Sequence, residues 1–239
     1  MKLLISNQHG AIVMALMPFL YGAALSQQLI WQHIFLLAAW FALYLMTYPF
    51  FNLFKGRNLP LYRRWTLGYG LASAIFALPA LLYNWKMIYF IAAMLPFVAI
   101  SVYFVKRKDE RALLNDLAGI LIFLIAGMGA YYFAERAFDA KIWLIPLYQG
   151  LFFLGTTLYV KSVLRERKNP RYLWASIGFH WLCPLCFIFA EQYGVALAFV
   201  LPAVRAVLLP KMKLSVKEVG LAEMAVSLYF FIIILWATL

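Results

Sequence analysis

An all-α, polytopic transmembrane bundle of about nine helices is the fold class the sequence predicts. Three observations predict it. Hydrophobic residues make up 66% of the chain and charged residues only 13%, with a mean hydropathy of +0.84. A soluble domain of 239 residues needs far more polar surface than that. The apolar residues also fall into long runs, each roughly the 17 to 25 residues that span a bilayer as helix. Finally, the runs are apolar nearly all round, with no dominant amphipathic face. A membrane β-barrel would show short alternating segments instead, and the sequence has none.

The spans are read, in order, at 11–31, 34–53, 65–84, 87–105, 114–134, 142–160, 173–190, 194–209 and 220–238. The opening M-K-L-L-I-S-N-Q-H-G lacks a small-residue cleavage site, so the first run is expected to stay as a helix. The eighth run is the shortest and carries Pro202 and Arg205. The loops are short throughout, which predicts a single integral membrane domain over residues 1–239. Prolines recur inside the runs, at Pro18, Pro49, Pro79, Pro96, Pro146, Pro184 and Pro202. Each removes a helical hydrogen bond and can kink its helix. Gly68 with Gly70, and Gly127 with Gly129, predict places where helices approach closely. Trp31, Trp65, Trp85 and Tyr172 lie at span ends and fit an interfacial aromatic belt, and His33 is read as interfacial with them.

The net charge is +12, but its distribution argues against nucleic acid. Of the 21 Lys and Arg residues, 17 fall before span 1 or after the even-numbered spans, and only Lys86, Arg136 and Lys141 lie in the opposite loops. Such a bias places the N-terminus and the cation-rich loops in the cytoplasm and the C-terminus outside. The expected location is the bacterial inner membrane, with membrane lipids as partners.

The loop K-R-K-D-E-R-A-L-L-N-D, residues 106–116, is the most charged stretch between two apolar runs. Its last two residues, Asn115 and Asp116, already belong to span 5. If helix covers the loop's end, Arg111 and Asn115 share a face, and so do Asp109 and Asp116. Other polar residues recur at a similar depth: His9 in span 1, Asn52 closing span 2, Thr156 and Lys161 closing span 6, Arg205 in span 8 and Glu223 in span 9. A carboxylate inside the hydrocarbon must be paired or lose its charge. For Asp116 and Glu223 the available partners are Arg205, Lys161 and His9. The pattern predicts a cytoplasm-facing polar chamber built from spans 1, 2, 5, 6, 8 and 9. The bland reading is a set of ion pairs that only fix helix packing. Beside the chamber, V-K-S-V-L-R-E-R-K-N-P-R, residues 160–171, carries Lys161 and Arg165 next to Glu166. That excess of cations favours a phosphate-bearing group or anionic lipid.

His180, Cys183 and Cys186 fall on an arc of about 120° at helical spacing. Soft ligands on one face can bind metal. With no fourth ligand and with Pro184 between them, they are read as buried thiols, with no metal and no cofactor.

N-Q-H-G (7–10), E-R-A-L-L-N-D-L-A-G-I (110–120) and G-T-T-L-Y-V-K-S-V-L-R-E-R (155–167) resemble the YwiC-like family of bacterial integral membrane proteins. The likeness covers nearly the whole chain and implies class more than activity. Where that family's first motif continues with Trp, Ile12 follows Ala11 here. More distantly, nine spans with key loops after spans 2 and 6 resemble the UbiA superfamily of prenyltransferases. Those enzymes hold a diphosphate through Mg²⁺ on two aspartate-rich motifs. The corresponding places here offer Asn52 without an acid, and Glu166 alone. Mg²⁺ wants carboxylate oxygens, so the resemblance implies a scaffold without the metal-diphosphate site. The function expected is binding of an anionic or phosphate-bearing amphiphile, isoprenoid-, quinone- or lipid-like, by His9, Asn52, Arg111, Asn115, Asp116, Thr156, Lys161, Arg165, Glu166, Arg205 and Glu223. The alternative is a small proton- or ion-coupled transporter using Asp116, Glu223 and Arg205.

Overall fold

The protein is described from a computed structural model that covers residues 4–5, 9–56, 58–212 and 214–239, and of His9 the backbone alone. Among the described residues there are nine α-helices: α1 His9–Leu25, α2 His33–Leu53, α3 Leu59–Tyr83, α4 Met87–Lys106, α5 Leu113–Glu135, α6 Gly150–Val160, α7 Pro170–Phe189, α8 Tyr193–Leu208 and α9 Val216–Thr238. Eight helical segments are long and apolar enough to cross a membrane. The first helix, at 17 residues, is shorter.

The spans agree closely with the sequence reading, with two corrections. Helix α1 stops at Leu25, whereas the expected span ran to residue 31. The polar turn after it has its own bonds: Ser26 Oγ donates to the Ala23 carbonyl at 2.7 Å, and Gln27 N–H donates to the Glu135 carboxylate. Helix α3 starts at Leu59, six residues before the expected boundary. Pro60 sits in its first turn, where a missing N–H is harmless and the fixed φ suits a helix. Arg63 and Arg64 therefore ride on the helix as exposed side chains.

The chain divides into two compact units, residues 1–146 and 147–239. In the first, α2 packs along α3, while α1 and α4 both pack along α5. The α1–α5 contact is backbone on backbone. A Cβ added at Gly22 would lie 2.1 Å from the Gly127 carbonyl oxygen, and one at Gly127 would lie 2.5 Å from the Pro18 oxygen. Gly129 serves the same purpose toward Met87 and Phe90 of α4, and Gly70 toward Met46, while nothing lies close to Gly68. Phe19, Ala23, Trp40, Met94, Ala126 and Ala130 form the core between these helices. Neutral donors stitch it: Trp40 Nε1 donates to Ala15 O at 2.8 Å, and Ser73 Oγ to Ala39 O at 2.9 Å. His33 opens α2, with its side chain turned in among the helices. It is buried, and its Nε2 lies 3.0 Å from the Ala130 carbonyl of α5, so the ring is used as a helix-to-helix link.

In the second unit α6 packs on α7, α7 on α8, and α8 on α9. Helix α6 is flanked by wider π-helical turns, Ile145–Gln149 before it and Lys161–Arg165 after it. Pro146 in the first turn has no N–H for the regular ladder. Local caps set the boundaries. Asn169 Oδ1 accepts from Arg171 N–H at 3.1 Å and Pro170 opens α7. Ser215 and Glu218 form a reciprocal capping box that starts α9. Phe152 of α6 stacks on Phe230 of α9 at 4.1 Å between ring centres, and Phe199 of α8 meets Phe230 edge-on. Phe187 of α7 stacks on Phe199 at 5.4 Å, so the aromatic contacts link all four helices.

Candidate functional site

The second unit gathers charge in its interior. Arg205 comes from α8, a turn before the helix ends, and only 2% of it is exposed. Glu223 comes from the second turn of α9 and is also buried. Their side chains meet, with Arg205 Nη1 2.5 Å from Glu223 Oε2. The other terminal nitrogen, Nη2, donates to His180 Nε2 of α7 at 2.7 Å. A guanidinium cannot accept a hydrogen bond, so Nε2 of His180 must carry the lone pair. The ring hydrogen is then on Nδ1, which donates to the Ser176 carbonyl one turn earlier at 2.7 Å. This fixes His180 as the neutral Nδ1–H tautomer. Gly155 on α6 makes room for the ring, since a Cβ there would lie 2.9 Å from His180 Nε2. Beneath the guanidinium lies Tyr159 of α6, with Cζ of Arg205 4.3 Å from the ring centre, a cation–π contact strengthened by the burial of both groups.

The cluster is electrically neutral as it stands, one cation against one anion, yet its hydrogen bonding is incomplete. Arg205 Nε, Glu223 Oε1, Tyr159 OH and Thr156 Oγ1 are buried and have no partner among the described residues. Gln149, at the foot of α6, is fully buried with both amide atoms equally unpartnered. Buried polar atoms in folded proteins are nearly always bonded, so orphans of this kind point to a water, an ion or a ligand group. Three of them belong to Arg205 itself and to the two side chains in contact with it, Glu223 and Tyr159.

The sequence-predicted residues distribute over the two units. In the second, Arg205 and Glu223 are brought together. Thr156 lies on the face of α6 that carries Tyr159. Lys161 is buried at the start of the π-helical turn that closes α6, whereas Arg165 is exposed and Glu166 half-buried. In the first unit, Asn52 is spent on its own helix, its Nδ2 donating to Tyr48 O at 2.8 Å. Asn115 Nδ2 donates to Glu110 O at 2.8 Å, leaving its Oδ1 buried and unpartnered among the described residues. Asp116 is half-buried in the first turn of α5, where the helix dipole favours a carboxylate. Arg111 is exposed and lies in the turn before α5. The shared faces expected for Arg111 with Asn115 and for Asp109 with Asp116 are therefore not formed, because helix begins only at Leu113. Lys55 instead pairs with Glu110 at 2.8 Å, tying two loops on the surface. The side chain of His9 lies outside the described residues.

Sequence reasoning missed His180 and Tyr159 as members of the cluster. His180 was grouped with the cysteines. The structure turns it toward Arg205, with Cys183 buried and Cys186 exposed, so the reading of both as buried thiols holds for Cys183 alone. The usable signal was Ser176 and His180 four apart in an apolar helix, with a glycine, Gly155, in the neighbouring span to admit a ring.

The YwiC-like protein family matches residues 5–131. An "Uncharacterized protein" of Haemophilus influenzae is 64% identical over 239 residues, covering 100% of both chains. The "Uncharacterized protein YwiC" of Bacillus subtilis is 36% identical over 230 residues, 96% of each chain. No solved structure matches the chain. The helices, their apolar length and these two full-length likenesses agree on a bacterial multi-pass membrane protein, and the chain belongs to the YwiC-like family.

Proposed function

We propose that the protein binds an amphiphile with an anionic, phosphate-bearing head, and that the buried cluster around Arg205 receives the head. The observation that carries this reading is the set of unpartnered atoms, Arg205 Nε, Glu223 Oε1 and Tyr159 OH, buried about one guanidinium. Ion pairs kept only to fasten helices are under no pressure to leave such atoms open. Arginine is the side chain best suited to phosphate or carboxylate geometry. The cation-rich segment around Lys161 and Arg165 supports the reading by drawing anionic heads toward that end of the unit. The tail of the ligand, isoprenoid-, quinone- or lipid-like, would lie along apolar helix surface.

The reading includes the orientation, with the N-terminus in the cytoplasm, the C-terminus outside and the whole chain acting as one inner-membrane domain. The 17-to-3 cation bias supports that orientation. It also includes a UbiA-like path of the helices that has shed the metal-diphosphate site, supported by the span count and by Asn52 near the end of α2 and Glu166 after α6. His9, Asn52, Arg111, Asn115 and Asp116, all in the first unit, are the further ligand-binding residues it assigns.

Native mass spectrometry of gently extracted protein tests the reading. A retained phosphate-bearing lipid is expected in the wild type and is expected to disappear when Lys161→Gln and Arg165→Gln are combined. Unchanged retention, or no retained lipid at all, contradicts it. A second reading is a small proton- or ion-coupled transporter. The 2.5 Å Arg205–Glu223 pair favours it, because intramembrane charge marks ion and proton paths. Ion-dependent flux in liposomes, lost in Asp116→Asn, would support that reading.

A further inference from the structure

Arg205 and Glu223 are matched in charge, and that match limits what the cluster can accept. An anion added to the intact pair would place two negative charges on one guanidinium with little water to screen them. The charge count is restored if Glu223 becomes neutral. We propose that the pair is exchangeable: an anionic group takes Glu223's place on Arg205, and Glu223 takes up one proton as it is displaced. The inference rests on the reading of the cluster as a ligand site.

Three features of the cluster carry it. First, a carboxylate of the chain already sits on Arg205, and arginine suits phosphate oxygens by the same donor geometry. Second, each partner keeps an unused atom, Nε on the arginine and Oε1 on the glutamate. The guanidinium can engage a newcomer before the old bond is broken, and a protonated Glu223 has a nearby phenol, Tyr159, to which it can donate. Third, the neighbours cannot take the proton instead. The one lone pair of the His180 ring is held by Arg205 Nη2. A proton placed there would face an N–H that cannot accept it. The Tyr159 hydroxyl already carries its proton. Among the described residues, the charged and titratable groups that face Glu223 are Arg205 from α8 and Tyr159 from α6, with His180 of α7 beyond Arg205. Lys217 and Glu218, on its own helix, are exposed nearer the helix start. Anion and proton therefore bind together, one for one, and the site behaves as a proton-linked anion site.

Binding measured against pH tests this directly. The full-length protein is placed in phosphatidylcholine nanodiscs. Two probes whose phosphodiester does not titrate near neutral pH are used: dimethyl phosphate as a free anion and dioleoylphosphatidylglycerol as a lipid headgroup. With Glu223 ionised in the free site, one linked proton predicts binding about tenfold weaker for each unit of rising pH. Glu223→Gln, which mimics the protonated acid, is expected to bind at the tight limit with no such slope. The slope seen with dimethyl phosphate identifies a free anion as ligand; the slope seen only with the lipid identifies a headgroup. Binding that is independent of pH in the wild type overturns the exchange while leaving the ligand site standing, because Lys and Arg on the surface do not titrate in that range. A slope that persists in Glu223→Gln also overturns it. Absence of binding for both probes overturns the ligand site itself.

Discussion

The two units are built from similarly apolar helices and differ in the charge they bury, although each leaves some polar atoms unpartnered, Gln32 Oε1, Thr66 Oγ1 and Asn115 Oδ1 in the first. In residues 1–146 the buried donors are mostly neutral and end on backbone carbonyls of a neighbouring helix: Trp40 on Ala15, Ser73 on Ala39, Asn84 on Phe133, with His33 against Ala130. An ion pair of this unit, Lys55 with Glu110, is on the surface. In residues 147–239 a full cation and a full anion lie inside, with a histidine and a tyrosine around them and several polar atoms unserved. A neutral donor that meets a carbonyl is a finished, modest fastening. A buried charge pair with orphans is neither modest nor finished. The difference teaches that polarity inside a membrane bundle is informative when it is charged and incomplete.

The contrast can be broken by substitution. The largest effect is expected from Arg205→Gln, which leaves Glu223 buried without its partner and should destabilise the protein by about 3–5 kcal/mol. Adding Glu223→Gln should recover much of that loss, because the uncompensated charge is then gone. Thermal unfolding in mild detergent reads both. In the first unit, Gly127→Val should cost about 1–3 kcal/mol by forcing α1 away from α5, since even a Cβ there meets the Pro18 oxygen. Ser73→Ala, which removes one neutral bond to Ala39, should cost only about 0.6 kcal/mol, the average for such bonds between membrane helices.

The smallest effect is confined to acid. Asp139, in the loop after α5, accepts from Tyr131 OH at 2.7 Å and from Lys141 N–H at 2.9 Å. The Tyr131 hydrogen bond, followed by the two backbone bonds of the next turn and the Lys141 charge, holds its carboxyl below the ordinary value of 3.8. Because the folded value is the lower one, this contribution is present above about pH 4 and fades as the pH falls through the folded value. Asp139→Asn should remove that acid-side slope in unfolding curves taken between about pH 2 and pH 5 and change little above it.

Much of the fold was legible in the sequence because hydrocarbon imposes length and composition on every span. The misjudged boundaries were set by side chains doing local work: Ser26 and Gln27 ending α1, and Pro60 opening α3. The site was legible only in part. Arg205 and Glu223 stood out because charge inside an apolar run is rare. His180 did not, because its neighbours in sequence, Cys183 and Cys186, offered a more familiar pattern than its neighbour in space, 25 residues away. The faces expected to be shared by Arg111 with Asn115 and by Asp109 with Asp116 require a helix that starts earlier, whereas the start of α5 at Leu113 leaves Asp109 and Arg111 in the loop.

The most direct test compares lipid occupancy in the wild type with that in the Arg205→Gln, Glu223→Gln double variant, which removes both charges together and so keeps the interior neutral. By native mass spectrometry from phosphatidylglycerol-containing nanodiscs, the account predicts at least a roughly tenfold loss of bound phosphate-bearing lipid, about 1.4 kcal/mol of binding, with the unfolding midpoint near that of the wild type. Equal occupancy in the two proteins would mean that the pair only joins α8 to α9, and would contradict the account.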